Sequence, residues 1–182
     1  MNAAEALCGE YERVLGLKWP SGLSGDERVW MAVYDPDIER KIRARLPQFE
    51  LVTKNAGRGW RSFDLAEVFP TWMGDNKHRG QLFANPTAIQ RALQEYQKFL
   101  TNRVRAELAE ADEGTVVALL GAGSLFGLWS VSELISTVSD EIKGILLVFF
   151  PGRHEGTVYK LMDARSSWNY LALPIEARSG GQ

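Results

Sequence analysis

The chain reads as an α/β protein, a single-domain three-layer sandwich on a mainly parallel sheet, and three observations lead there. Two runs, Val116 to Leu120 and Ile145 to Phe150, are apolar at every position. A strand without a polar face must be buried on both sides, which is the condition of a parallel sheet covered by helices. Between the two runs Val131, Leu134, Ile135 and Val138 recur at helical spacing, so Thr115 to Gly152 is most simply a right-handed βαβ crossover. Helical and apolar strand patterns also alternate through most of the remaining chain. With 182 residues, 45% of them apolar, the chain is long enough for one proper core and too short for two comfortable ones.

The elements follow in order. Leu7, Tyr11, Val14 and Leu15 place an apolar side on a short helix over residues 3–15, and LKWPSGLSGD then breaks regular structure. Val29 to Val33 is the first strand. Asp35 offers an N-cap oxygen and Pro36 fits the first helical position, with Ile38, Ile42 and Leu46 as the buried face. Pro47 is expected to end that helix, Phe49 to Thr53 to form a second strand, and Trp60 to Phe63 a short third after the turn-like KNAGRG. Asp64 and Glu67 open a helix with Leu65, Val68, Phe69 and Trp72 on its apolar side, which Pro70 should shorten or kink.

Residues 73–85 are polar and interrupted by glycine, the pattern of a long exposed loop. Pro86 opens the longest helix, with Ile89, Leu93, Tyr96, Leu100, Val104 and Leu108 stepping along it to about Glu110, a rod of roughly 35 Å at 1.5 Å per residue. Val158 to Met162 and Tyr170 to Leu173 look like further strands joined by DARSSWN. The organisation expected is a helix and irregular segment over 1–27, an α/β core over 28–176 and a disordered tail over 177–182.

Composition excludes some functions. Net charge is −2, from 21 basic and 23 acidic residues, so no global field draws the protein to nucleic acid or an anionic membrane, and any DNA contact is expected to be weak or indirect. The N-terminus lacks a signal-peptide pattern, no window approaches a membrane span, and the single cysteine, Cys8, fits a reducing interior. A cytoplasmic location without membrane attachment is the expectation. Six tryptophans are many for this length; packing is the first explanation and interface anchoring the second.

Candidate chemistry is sparse. The GAGSLFG turn could cradle a phosphate through Gly121, Gly123 and Ser124, because glycines let backbone N–H groups approach an anion. It lacks the lysine of a P-loop, it has Phe126 where the dinucleotide fingerprint requires glycine, and it is not a nucleophile elbow. Ser130 and Glu133 form a capping box just beyond it, so Leu125, Phe126, Leu128 and Trp129 sit in an apolar loop that needs a surface to cover, the protein's own core or another protein. His78, His154 and Cys8 have no zinc spacing, and Asp64, Glu155 and Asp163 are more simply caps or solvated charges than magnesium ligands. A serine hydrolase would need His154 beside Ser124. Two segments set arginine beside aromatic residues, Arg58, Trp60 and Arg61 in one and Arg153, Arg165, Trp168 and Tyr170 in the other. Such sets can grip single-stranded nucleic acid or a partner, although packing is the favoured explanation. The run ERKIRAR reads as a solvated face with Glu39 four residues before Arg43. No metal, cofactor or catalytic set is expected.

Specific strings carry further. RVWMAVYDP (28–36), RARLPQFEL (43–51), GWRSFDLAEVF (59–69), LLGAGSLFGLWSVSELI (119–135), GILLVFFPG (144–152) and YKLMDARSSWNYLALPI (159–175) together resemble the BrxB family of BREX phage-defence systems, over about residues 28 to 176. Pro70 and the Ser166–Ser167 pair depart from the family pattern. The resemblance implies a subunit of an assembly that methylates host DNA and blocks phage replication, with a PglZ-type protein of the alkaline phosphatase superfamily as direct partner and the methyltransferase or ATPase as further ones. It assigns no catalytic residues. The expectation is therefore a non-enzymatic adaptor, with Leu125, Phe126, Trp129, Arg153, Arg165 and Trp168 as candidate partner contacts. The alternatives are a nucleotide- or phosphate-binding regulatory subunit using Gly121, Gly123 and Ser124, and a nucleic-acid-binding subunit using Arg58, Trp60 and Arg61.

Overall fold

A computed structural model describes residues 2–19, 22–162 and 168–177. Its strands are β1 (Val29–Tyr34), β2 (Gly59–Asp64), β3 (Thr115–Leu120), β4 (Ile145–Glu155), β5 (Val158–Leu161), β6 (Trp168–Asn169) and β7 (Leu173–Glu176). Five run parallel in the order β2-β3-β4-β1-β7, and the end of β4 leaves them to pair antiparallel with β5, which pairs in turn with β6. The helices are α1 (Ala3–Leu15), α2 (Glu39–Asn55), α3 (Val68–Asp75), α4 (Arg79–Ala84), α5 (Pro86–Ala109) and α6 (Val131–Val138).

Strand alternation divides the core in two. Met31, Val33, Val117, Leu119, Leu146 and Val148 pack toward α5 and α6, whereas Trp30, Ala32, Val116, Ala118, Leu147 and Phe149 pack toward α1 and α2. The expected three-layer α/β sandwich is therefore the observed one. Each buried Leu, Val or Phe side chain contributes about 1.5–3 kcal/mol, so a strand apolar on both faces cannot be left uncovered on either. The β3–α6–β4 unit is present, with β3 and β4 adjacent and parallel.

Several local expectations fail for identifiable reasons. Pro47 does not end α2, and Phe49 to Thr53 is helix, not strand. Ile42, Phe49, Val52 and Thr53 fall on one buried helical face, where Phe49 meets Phe149 at 5.0 Å and Tyr11 at 5.3 Å between ring centroids. Tyr11 and Thr53 share a buried 2.6 Å hydrogen bond. These contacts outweigh the cost of about 3 kcal/mol for an interior proline and the strand propensity of the segment. Pro70 does not break α3, because it is the third residue of that helix, where its missing N–H has no partner to lose within the helix. The expected loop over 73–85 is mostly helical, since α3 runs to Asp75 and α4 follows, held by buried Leu82. It is exposed as expected.

Near the C-terminus the expected strand over Tyr170 to Leu173 is displaced into β6 and β7. Tyr170 itself is tied by its N–H to the Thr157 carbonyl and by its hydroxyl to Asp26. β4 continues five residues beyond Phe150. Gly152 permits this crossing into the hairpin, since a Cβ there would lie 2.1 Å from the Lys160 carbonyl oxygen. Residues 163–167, which include most of DARSSWN, and the tail from Arg178 onward lie outside the described residues.

Gly152→Ala is expected to destabilise the protein by about 2–3 kcal/mol, because backbone must move to admit the methyl group. Gly9, inside α1 with open space around it, should behave oppositely, Gly9→Ala stabilising by about 0.5–1 kcal/mol. Urea unfolding of both variants checks the pair.

Candidate functional site

Ligands of parallel α/β sheets gather where strands end and neighbouring connections diverge, and this sheet has such a place. β1 leads into α2 on one face, while β4 beside it continues into the β4–β5 hairpin. Between the ends of β1, β4 and β7 lies a crevice of about 620 Å³. Asp35 and Asp37 enter it from the turn after β1, Arg153, His154 and Glu155 from the end of β4, and Glu176 from the end of β7.

The N-cap expected of Asp35 is present: its side-chain oxygen accepts the Asp37 N–H at 2.9 Å. His154 is 11% exposed, with Nδ1 3.4 Å from a Glu176 carboxylate oxygen, and its ring lies 4.6 Å from that of Tyr159. The Tyr159 hydroxyl donates to the Ala172 carbonyl at 3.0 Å, and burial pushes its pKa up to about 12. The hairpin and β7 are thus fastened together at the crevice wall.

A second assembly braces the rim across the α1/α2 layer. The Tyr34 hydroxyl at the end of β1 donates to Glu39, Glu39 accepts from Arg43 at 2.8 Å, and Arg43 donates to Asp64 at 2.5 Å at the end of β2. Asp64 also accepts the Ala66 N–H at 3.0 Å, as the cap expected of it. Burial raises the Asp64 carboxyl, but the Arg43 guanidinium and the Ala66 N–H outweigh it and hold the group below its ordinary value. Burial, and then the Glu39 carboxylate, raise Tyr34. The expected Glu39–Arg43 pair is present, but its arginine also reaches across to a different strand. The i,i+4 spacing could suggest the pair; nothing in sequence could suggest Asp64 as its third member.

The glycine turn is filled by the chain itself. Gly121 takes a left-handed φ of +69°, and a Cβ on it would come within 2.5 Å of an Asp64 carboxylate oxygen. Gly123 stands against Met162 and Pro151, and the Ser124 hydroxyl donates to the Gly121 carbonyl at 2.7 Å. The glycines therefore permit close packing of rim loops. Ser124 and His154 are bonded to different groups, not to each other. Leu125 is fully buried, Trp129 packs partly buried against the core, and Phe126 leaves 50% of its surface in water. Ser130 caps α6, accepting the Glu133 N–H.

The remaining candidate residues are dispersed. Arg58 lies 3.9 Å over the Trp19 ring, Trp60 packs toward the α1/α2 layer, and Arg61 donates to Glu107 at 2.9 Å on the α5 side. Trp60 and Arg61, adjacent on a strand, thus face opposite sides of the sheet. Arg153 is exposed. The main chain of Trp168 opposes Tyr159, and Arg165 and Asp163 lie outside the described residues. Among the described residues no group of three His, Cys, Asp or Glu could hold a metal ion, and no helix is long and apolar enough to cross a membrane.

Because the folded-state pKa of Asp64 is depressed below its ordinary value of 3.8, its pairing stabilises the fold above that pH and the contribution is lost as pH falls through the folded value. Asp64→Asn is therefore expected to cost about 1–2 kcal/mol at pH 7. The gap from the unsubstituted protein should narrow as the pH falls below about 4. Urea unfolding at both pH values measures this, and an unchanged gap would show that the charge is not what matters.

No curated protein and no solved structure matches the chain. A family model described as BREX protein BrxB matches residues 71–174, more than half of the chain, running from α3 through α5, β3, α6 and the hairpin into β7. That stretch supplies the glycine turn, the exposed Phe126 and one wall of the crevice. The chain therefore belongs to the BrxB family and is a component of a BREX phage-defence system.

Proposed function

We propose that the protein is a non-enzymatic adaptor of this defence system, which docks a PglZ-type protein of the alkaline phosphatase superfamily on the rim at the strand C-termini and so supports phage restriction and host DNA methylation. The observation that carries the reading is Phe126. A large aromatic side chain stands half in water on a loop in which Gly121 and Gly123 are packed against the chain itself and the neighbouring Leu125 is fully buried. An exposed aromatic residue on a loop fixed in this way costs little conformational entropy when it is covered, the property of an interface anchor. Arg153, exposed at the crevice wall, supplies a charged neighbour on the same rim. The phosphate-binding alternative draws less support, because close approach to Gly121 and Gly123 is already taken by Asp64, Ala66, Met162 and Pro151.

Co-expression with the PglZ-type protein of the same system tests this. Phe126→Asp is expected to weaken co-purification about tenfold or more and to reduce phage restriction in parallel. Retention of the partner through this substitution would rule out the rim around Phe126 as the docking surface.

A further inference from the structure

We propose that the crevice between the ends of β1, β4 and β7 seats a basic, lysine- or arginine-bearing segment of a protein partner. The proposal rests on the adaptor reading and names the chemistry of what docks. Among the described residues four carboxylates line the crevice, Asp35, Asp37, Glu155 and Glu176, against one guanidinium, Arg153. Of the four, Glu176 meets His154, and no ion pair among the described residues joins Asp35, Asp37 or Glu155 to a cation. Asp35, Asp37 and Glu155 are thus open to a partner's cations, and the sign of the surface selects for them.

The rest of the lining agrees with that occupant. Ala3, Ile38 and Met162 contribute apolar surface to the same crevice, and lysine and arginine bring apolar stems beneath their charged heads. The carboxylates come from three separate chain segments and surround a space of about 620 Å³ without gathering into a metal-binding group. A space of that size accommodates several side chains, not a lone ion. The two walls are joined by the hydrogen bond from Tyr159 to Ala172, with His154 Nδ1 3.4 Å from a Glu176 oxygen beside it, so docking need not reorganise the site.

The test titrates a fluorescein-labelled hexa-arginine peptide into the full chain at about 150 mM salt, where weak long-range attraction is screened. The Asp35→Asn, Glu155→Gln double variant is expected to bind about tenfold more weakly. Asparagine can still accept the Asp37 N–H, so the turn is kept, and Asp37→Asn gives an independent variant with a loss in the same direction. A control pair on outer helix faces, Glu50→Gln with Glu95→Gln, should change binding by less than about twofold. Equal binding by the crevice variants, or equal loss in the control pair, would overturn the proposal. So would displacement of the peptide by spermidine at equal concentration, which would identify a small-amine site. Co-purification separates the two readings: a crevice that binds the peptide in a chain that never retains its PglZ-type partner removes the adaptor reading alone, and a retained partner with no crevice-dependent peptide binding removes this proposal alone.

Discussion

Burial of the parallel strands on both faces is the constraint from which the rest of the molecule follows. Every side chain of β1, β3 and the first six residues of β4 is buried, and almost all of them are apolar. Each side of the sheet must therefore be roofed, with α1 and α2 on one side and α5 and α6 on the other. Parallel pairing also sends every connection from one end of the sheet to the other. The C-terminal ends of β1, β2, β3 and β4 consequently lie along one rim, and the polar and irregular parts of the chain collect there.

That rim is held by polar bonds where packing alone would leave loops free. Tyr34, Glu39, Arg43 and Asp64 connect the end of β1, the first turn of α2 and the end of β2. His154, Tyr159, Glu176 and Ala172 connect the hairpin to β7. The first of these sets is part-buried and fixes the relative positions of the three segments as well as contributing to stability. Fixed geometry is what the proposed adaptor role requires, since a surface already in its binding shape loses less entropy on docking. In the docking we propose, Phe126 on one part of the rim is the apolar reference point and the acidic crevice on another the electrostatic one.

The candidate residues separated according to what sequence spacing can encode. Capping is a relation between residues two or three apart, and Asp35, Asp64 and Ser130 all cap as their spacing suggests. The arginine and aromatic sets are different. Arg58, Trp60 and Arg61 lie within four residues of one another, yet a pleated strand turns Trp60 and Arg61 to opposite faces and Arg58 is drawn onto Trp19. Adjacency along the chain is not adjacency in space when the side-chain period is two. The crevice was hidden for the converse reason. Asp35, Glu155 and Glu176 are far apart in sequence and share a wall because β1 is hydrogen-bonded to both β4 and β7.

What the chain determined by itself was the α/β class, the strands that are apolar throughout, the caps, the long helix from Pro86 and the strings that mark its family. These are local patterns, each readable within a dozen residues. Tertiary structure decided the fate of Phe49 to Thr53, the register of β7, the three-member bridge at Arg43 and the use of the glycine turn for packing. In each case a contact from a distant part of the chain outweighed a local preference: Phe149 and Tyr11 hold Phe49 in a helix, and Asp64 and Ala66 occupy the space beside Gly121. Propensities differ by about 1 kcal/mol per residue or less for most side chains. Burying one large side chain is worth about two or three times that, so where the two conflict the core prevails.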